Sequence, residues 1–357
     1  MDFNDLLNLM VEQQASDLFI TADVQPSIKI NGLIHPIGNN KLSAQLVTQL
    51  VHSVMNEQQR LEFSTQRECN FAISNRETTA RYRVSAFQQR DVPGMVLRRI
   101  ATTIPQIDDM QLPPILKNLS MSKRGIILVV GATGSGKSTT MAAMIGHRNQ
   151  NSQGHIITIE DPIEFIHQHA GCIITQREVG IDTESFEIAL KNTLRQAPDV
   201  ILIGEIRSRE TMDYAVSFAE TGHLVLATLH ANNANQAIER FVNFFETERH
   251  SHIYAALSLN LKAIIAQQLI PSIEPTRRSA AIEIMINSPL ITEHIRKGEV
   301  HLIKEIIHQS RELGMQSFDQ ALLDLYQNAQ ISQAQALQHA DSANDLRLQI
   351  KMSDLKI

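Results

Sequence analysis

The stretch Gly131-Ala132-Thr133-Gly134-Ser135-Gly136-Lys137-Ser138 sets the tightest limit on what this chain can fold into. Two glycines separated by four residues are followed by Lys and Ser, between an apolar run, Ile126 to Val130, and a helix-forming run from Thr139. That order suits a buried parallel strand that opens through a glycine-rich loop into a helix. Gly131, Gly134 and Gly136 let backbone N–H groups turn inward around an anion, and the helix points its positive end at the same place. Residues 131–139, with Ala132, Thr133, Ser135 and Thr139 among them, therefore read as a cradle for the phosphates of ATP. Lys137 reaches the β- and γ-phosphates, and Ser138 places its hydroxyl on the Mg²⁺ that bridges them.

The chain has 357 residues, 43% of them apolar, enough for two globular cores. A net charge of −6 argues against a nucleic-acid binder and for protein partners. Cys69 and Cys172 are far apart, so neither a disulfide framework nor a cysteine zinc site is expected, which fits a reducing cytoplasm. Met1-Asp2-Phe3 lacks the basic start of a signal peptide, and no apolar run approaches the roughly 18 residues of a membrane span. The expectation is a cytoplasmic protein that neither spans a membrane nor is secreted.

In chain order, an amphipathic helix over 3–14 precedes strands at 16–21 and 27–34, with Asn31-Gly32 as a hairpin turn toward 33–35. A helix at 43–57 and strands at 68–73, 79–87 and 94–100 complete a separate α+β domain over residues 1–103. Residues 104–120 contain Pro105, Pro113 and Pro114 and read as an interdomain linker. Over 121–357, strands at 126–130, 155–159, 200–203 and 224–229 alternate with helices at 183–196 and 208–220. Such alternation predicts a parallel sheet flanked by helices, with ligands at the C-terminal ends of the strands. After Asn233 the pattern is mainly helical, apart from a strand at 280–286.

Glu160, Asp161 and Glu164 follow one of these strands, where ATP hydrolysis needs one group to orient the attacking water and another to hold the metal or its water shell. Glu164 is favoured as the water-activating base, with Glu160 its rival. Asp199 to Glu205 is an apolar strand ending in an acid, so Glu205 approaches Mg²⁺, through water because Gly204 precedes it and the acid is Glu. His223 and His230 bracket the next strand. They read either as core or capping residues, or as sensors, His223 near the γ-phosphate and His230 bonded to a neighbouring strand. Arg81 and Arg83 share a strand face in the first domain, with Arg98 and Arg99 nearby. In a ring, Arg83 and Arg98 reach nucleotide on an adjacent subunit as arginine fingers; the plainer reading is a solvated edge.

With these residues placed, the chain resembles the secretion ATPase superfamily, specifically the PilT/PilU retraction ATPases of type IV pili. The resemblance rests on the phosphate loop, Glu160 to Glu164, Gly204-Glu205, Glu220 to His230, and Gly314-Met315-Gln316-Ser317-Phe318-Asp319. It implies an α/β chain, a PAS-like N-terminal α+β domain followed by a RecA-like P-loop NTPase domain with a helical C-terminal region. It also implies a cytoplasmic hexamer, peripheral at the inner membrane, that binds ATP and Mg²⁺ and acts on the platform protein of the pilus machine. Assembly motors of the superfamily carry a four-cysteine zinc motif that two cysteines cannot build. The Ala-Ile-Arg-Asn-Leu-Ile-Arg motif of main retraction motors is here Leu290-Ile291-Thr292-Glu293-His294-Ile295-Arg296, which resembles the accessory branch. A motor that assists pilus retraction beside a PilT-like main ATPase follows. The competing function is a nucleotide-sensing module that docks on that motor and turns over little ATP.

Lys137→Ala removes the mobile cation of the loop, so tight Mg-ATP binding should be lost in a calorimetric titration. Affinity like that of the wild type would refute the loop assignment.

Overall fold

Tyr82, Val84 and Ala86 alternate with Arg81, Arg83 and Ser85, so an extended backbone puts the apolar residues on one face and the polar ones on the other. The computed structural model describes residues 3–75, 80–100, 102–274 and 277–354. It divides into two units, Met1–Thr103 with Glu164–Ile166, and Ile104–Ile163 with His167–Ile357.

The first unit contains α1 (Phe3–Glu12), β1 (Asp17–Ile20), β2 (Ser27–Ile30), β3 (Leu33–Pro36), α2 (Ala44–Ser53), α3 (Glu57–Gln66), β4 (Glu68–Ser74), β5 (Arg81–Gln89) and β6 (Val92–Ile100). The strands form an antiparallel sheet in the order β3-β2-β1-β6-β5-β4. Leu6, Leu7 and Met10 of α1 and Val47 and Val51 of α2 are buried in one cluster with Leu18, Tyr82, Val84, Met95 and Leu97 of the sheet. Asn31 and Gly32 take φ of 51° and 85° and set Ile30 opposite Leu33, as an Asn-Gly hairpin requires. The helix expected over 43–57 is instead two helices: α2 ends at Ser53, and Asn56 opens α3 through a capping box with Gln59. Phe63 is the one buried residue of α3, so the sequence carried little periodicity there. Thr79, expected to start a strand, lies outside the described residues.

The second unit begins within the stretch read as a linker, where Ile107, Leu112 and Leu116 of residues 104–120 are buried in its core. Its elements are α4 (Ile115–Ser120), β7 (Gly125–Val130), α5 (Lys137–Asn151), β8 (Gly154–Glu160), β9 (Cys172–Glu178), α6 (Phe186–Thr193), β10 (Val200–Ile203), α7 (Arg209–Glu220), β11 (Leu224–Leu229), α8 (Ala234–Val242), α9 (His250–Asn260), β12 (Leu261–Pro271) and β13 (Arg278–Ile286). Five helices follow: α10 (Pro289–Lys297), α11 (Ile303–Gln309), α12 (Phe318–Gln327), α13 (Gln333–His339) and α14 (Ala343–Asp354). The sheet runs β13-β12-β7-β11-β10-β8-β9, parallel except for the antiparallel β12–β13 pair. All six residues of β7 are buried, Ile126, Leu128 and Val130 in one core cluster and Ile127 and Val129 in the other. A strand covered on both faces has to read as continuous apolar sequence.

β9 and β12 were not expected. β12 is a correction to the helical reading after Asn233: its sequence mixes Ile264, Ile265 and Ile270 with helix-favouring Leu, Ala, Gln and Lys, and pairing with β7 and β13 on its two sides holds it extended.

Glu283 of β13 is 2% exposed, and its carboxylate accepts the backbone N–H of Ala234, the first residue of α8, at 2.8 Å. Burial pushes its pKa from 4.5 up to about 7, helped by Asp341 and Asp319 and opposed by the Ala234 amide and Lys304. Between these pH values the folded protein keeps a proton that the unfolded chain has released, so stability falls as pH rises through the window and levels off above it. Glu283→Gln keeps an acceptor for Ala234 without the charge. Its stability relative to wild type should rise by on the order of a few kcal/mol from about pH 5 to about pH 8, read by urea denaturation. A difference independent of pH would show that Glu283 carries no buried charge.

Candidate active site

In a parallel sheet every strand delivers the segment after it to the same edge. Here that edge collects the phosphate loop after β7, Glu160 at the end of β8, Glu205 after β10 and His230 after β11.

Gly131, Gly134 and Gly136 adopt φ of 154°, 77° and 87°. At Gly131 and Gly136 space is short as well. A Cβ on Gly131 would stand 2.5 Å from the Gln267 carbonyl and from Ser135 Oγ, and one on Gly136 would stand 2.6 Å from Gln267 Nε2. Gln267 is 3% exposed, and its Oε1 accepts the Thr140 hydroxyl at 2.7 Å, tying the first turn of α5 to β12. Ser135 Oγ is buried in the loop without a hydrogen-bond partner, a polar atom suited to an anion lodged there. Lys137 Nζ donates to the carbonyls of Gly131 at 3.0 Å and Ala132 at 2.8 Å. Burial lowers its pKa, and the charge of Glu205 opposes that shift, so the ammonium and the carboxylate act on one another.

Glu205 is held from two directions. His230 Nε2 lies 2.8 Å from Oε1, and Arg207 Nη2 lies 2.6 Å from Oε2. Arg207 Nη1 also lies 3.7 Å from Asp161 Oδ2. Gly204 packs closely, since a Cβ there would stand 3.0 Å from the Glu160 backbone. The Glu160 carboxylate accepts the Thr158 hydroxyl at 2.7 Å and the Gln176 amide at 3.3 Å. Ser138 is exposed at the start of α5, and with Glu205 it offers oxygen donors of the kind Mg²⁺ takes beside phosphates and water.

His223 is a correction. It precedes β11, so it lies at the opposite edge of the sheet from the loop, where its Nδ1 is 3.1 Å from the Phe218 carbonyl and 3.1 Å from Thr221 Oγ1 at the end of α7. Two residues that bracket a strand cannot share an edge, and only His230, at the C-terminal end, faces the loop. Glu164 falls with the first unit, apart from Glu160 and Asp161 in the second. Arg83 and Arg98 are registered partners on β5 and β6 of the first unit, and Arg98 Nε pairs with Asp17 Oδ1 at 2.8 Å.

Sequence reasoning missed Arg207 and Gln267. Arg207 carried a signal, a lone cation two residues beyond a strand-terminal acid. Gln267 carried none, since its role comes from β12 lying beside β7. Two clefts adjoin the loop: one of about 560 Å³ touches Gly131, Thr133 and His230 and is walled by Gln236 and Arg240 of α8, and one of about 640 Å³ touches Gly136, Thr139 and Leu269.

The chain matches the family model described as Type II/IV secretion system protein over residues 2–347. It is 62% identical over 352 residues to the type IV pilus ATPase PilU of Pseudomonas aeruginosa, covering 99% of this chain and 92% of that one. It is 40% identical to the pilus retraction ATPase PilT of the same organism, covering 95% and 98%. A crystal structure of the pilus retraction motor PilT with bound ADP aligns at a TM-score of 0.90 and 35% identity, covering 98% of this chain and 99% of that one.

Gly131→Ala should leave the helical and strand content unchanged by circular dichroism and weaken ATP binding about tenfold or more, because the loop has to move off Gln267 and its amides no longer converge. Unaltered affinity would mean that the crowding seen at Gly131 does not shape the binding loop.

Proposed function

The chain belongs to the Type II/IV secretion system protein family and, within it, to the PilT/PilU pilus ATPases, and from that membership we propose that it is an ATP-hydrolysing motor subunit that assists type IV pilus retraction. The observation that carries this reading is that parallel strands bring the glycine-rich loop with Lys137 and the acid Glu205 to one sheet edge, where the loop holds a buried, unpartnered serine oxygen. On nucleotide entry Lys137 exchanges the carbonyls of Gly131 and Ala132 for the β- and γ-phosphates. Thr139, next in the loop, would face the α-phosphate, and the clefts at Gly136, Thr139 and Leu269 and at His230 would offer room for the rest of the nucleotide on the two sides of the loop. Ser138, and Glu205 through water, would hold Mg²⁺, which would supply positive charge beside the phosphate oxygens. Glu164, with Glu160 as the alternative, takes the proton of the attacking water.

In this reading the first unit is PAS-like and the second RecA-like, and six subunits form a ring in which Arg83 and Arg98 supply charge to the nucleotide of a neighbour. The ring works beside a PilT-like main ATPase at the cytoplasmic side of the inner membrane, where ATP-driven rotation of its domains acts on the platform protein. Among the described residues no helix is long and apolar enough to cross a membrane, in keeping with attachment through partners.

ATPase rate and native mass, measured with and without the co-purified PilT-like protein, test the proposal. A ring that hydrolyses ATP is the expected result; a monomer without turnover in both conditions would overturn it. Glu164→Gln should retain ATP affinity and lose about a hundredfold or more in turnover. Normal hydrolysis in that variant together with loss in Glu160→Gln would transfer the base to Glu160.

A further inference from the structure

Arg207 has no part in the reaction as derived above, yet it makes the shortest contact at the acidic side of the site. Its Nη2 lies 2.6 Å from Glu205 Oε2 and its Nη1 lies 3.7 Å from Asp161 Oδ2. The Glu205 carboxylate is 19% exposed, and His230 Nε2 lies 2.8 Å from its other oxygen. One oxygen of the acid meant for the metal's water shell is therefore already engaged by the guanidinium, and the imidazole stands against the other.

A guanidinium and a divalent cation repel one another, and both draw on the same negative charge. One of them has to yield. The Arg207 side chain is 63% exposed, against 37% for His230 directly after β11, and its tip returns to water at little cost. Asp161, 41% exposed, stands within reach to receive it.

We propose that Arg207 is a positioning residue that occupies Glu205 until a metal-bound nucleotide arrives, and that the incoming Mg²⁺ displaces it toward Asp161. The acid thereby keeps its direction while the site lacks nucleotide and is surrendered only to a dication delivered with phosphates. This inference rests on the ATPase reading and adds a competition between one side chain and the metal.

The experiment is a calorimetric titration of the full-length protein with ADP at increasing MgCl₂, which needs no turnover. In Arg207→Gln the Mg²⁺ concentration that gives half of the metal-dependent tightening should fall about two- to fivefold, the range of an exposed ion pair. Arg207→Lys keeps the charge and should stay near wild type. In a Glu205→Gln background the Arg207→Gln substitution should have no further effect, which separates competition at this carboxylate from a general change in surface charge. An unchanged or raised Mg²⁺ requirement in Arg207→Gln, with ADP binding intact, overturns the Arg207 inference alone. ADP binding that ignores Mg²⁺ in the wild type also overturns it, and absence of ADP binding removes the ATPase reading together with it.

Discussion

The contact between the phosphate loop and Gln267 governs the geometry of the site. Its carbonyl and side-chain amide approach the Cα positions of Gly131 and Gly136 so closely that no larger residue fits, and its Oε1 holds the Thr140 hydroxyl. A glycine-rich loop has many conformations open to it, and this neighbour excludes most of them. The loop that meets the nucleotide is thus shaped from β12, a strand more than a hundred residues downstream.

Strand direction does the remaining gathering. Because β7, β8, β10 and β11 are parallel, the segments that follow them meet although they are distant in sequence. The same rule sends His223 away to cap α7. The acids so assembled have cations beside them: Arg207 spans Glu205 and Asp161, and Lys137 feels the charge of Glu205 while bonded to loop carbonyls; the His230 ring lies 2.8 Å from Glu205. Acids left uncompensated in a half-buried site would repel one another.

The C-terminal helices bury Ile291, Ile303, Phe318 and Leu346 in the core of this sheet, and polar contacts fix their register. Gln316 pairs its backbone with Ile284 of β13, Ser317 caps α12 in a box with Gln320, and the Asp319 carboxylate accepts the N–H groups of Asp341 and Ser342. The Gly314 to Asp319 motif therefore joins the helical region to β13. Glu283 stands where β13, α8 and these helices converge, and α8 is also a wall of the cleft beside the loop.

What the sequence determined by itself was local. The phosphate loop, the strand ending at Glu205, the Asn31-Gly32 turn and the alternation of β5 were legible because glycine conformation and side-chain period are properties of a few neighbouring residues. Tertiary structure alone decided which distant residues share an edge. β12 became a strand because β7 and β13 offered it hydrogen bonds, which decided between the helix and strand preferences mixed in its sequence. His230 met Glu205 while His223 did not, and Arg207 became the partner of two acids, because strand order and direction settle such meetings, and neither is written in the spacing of one segment.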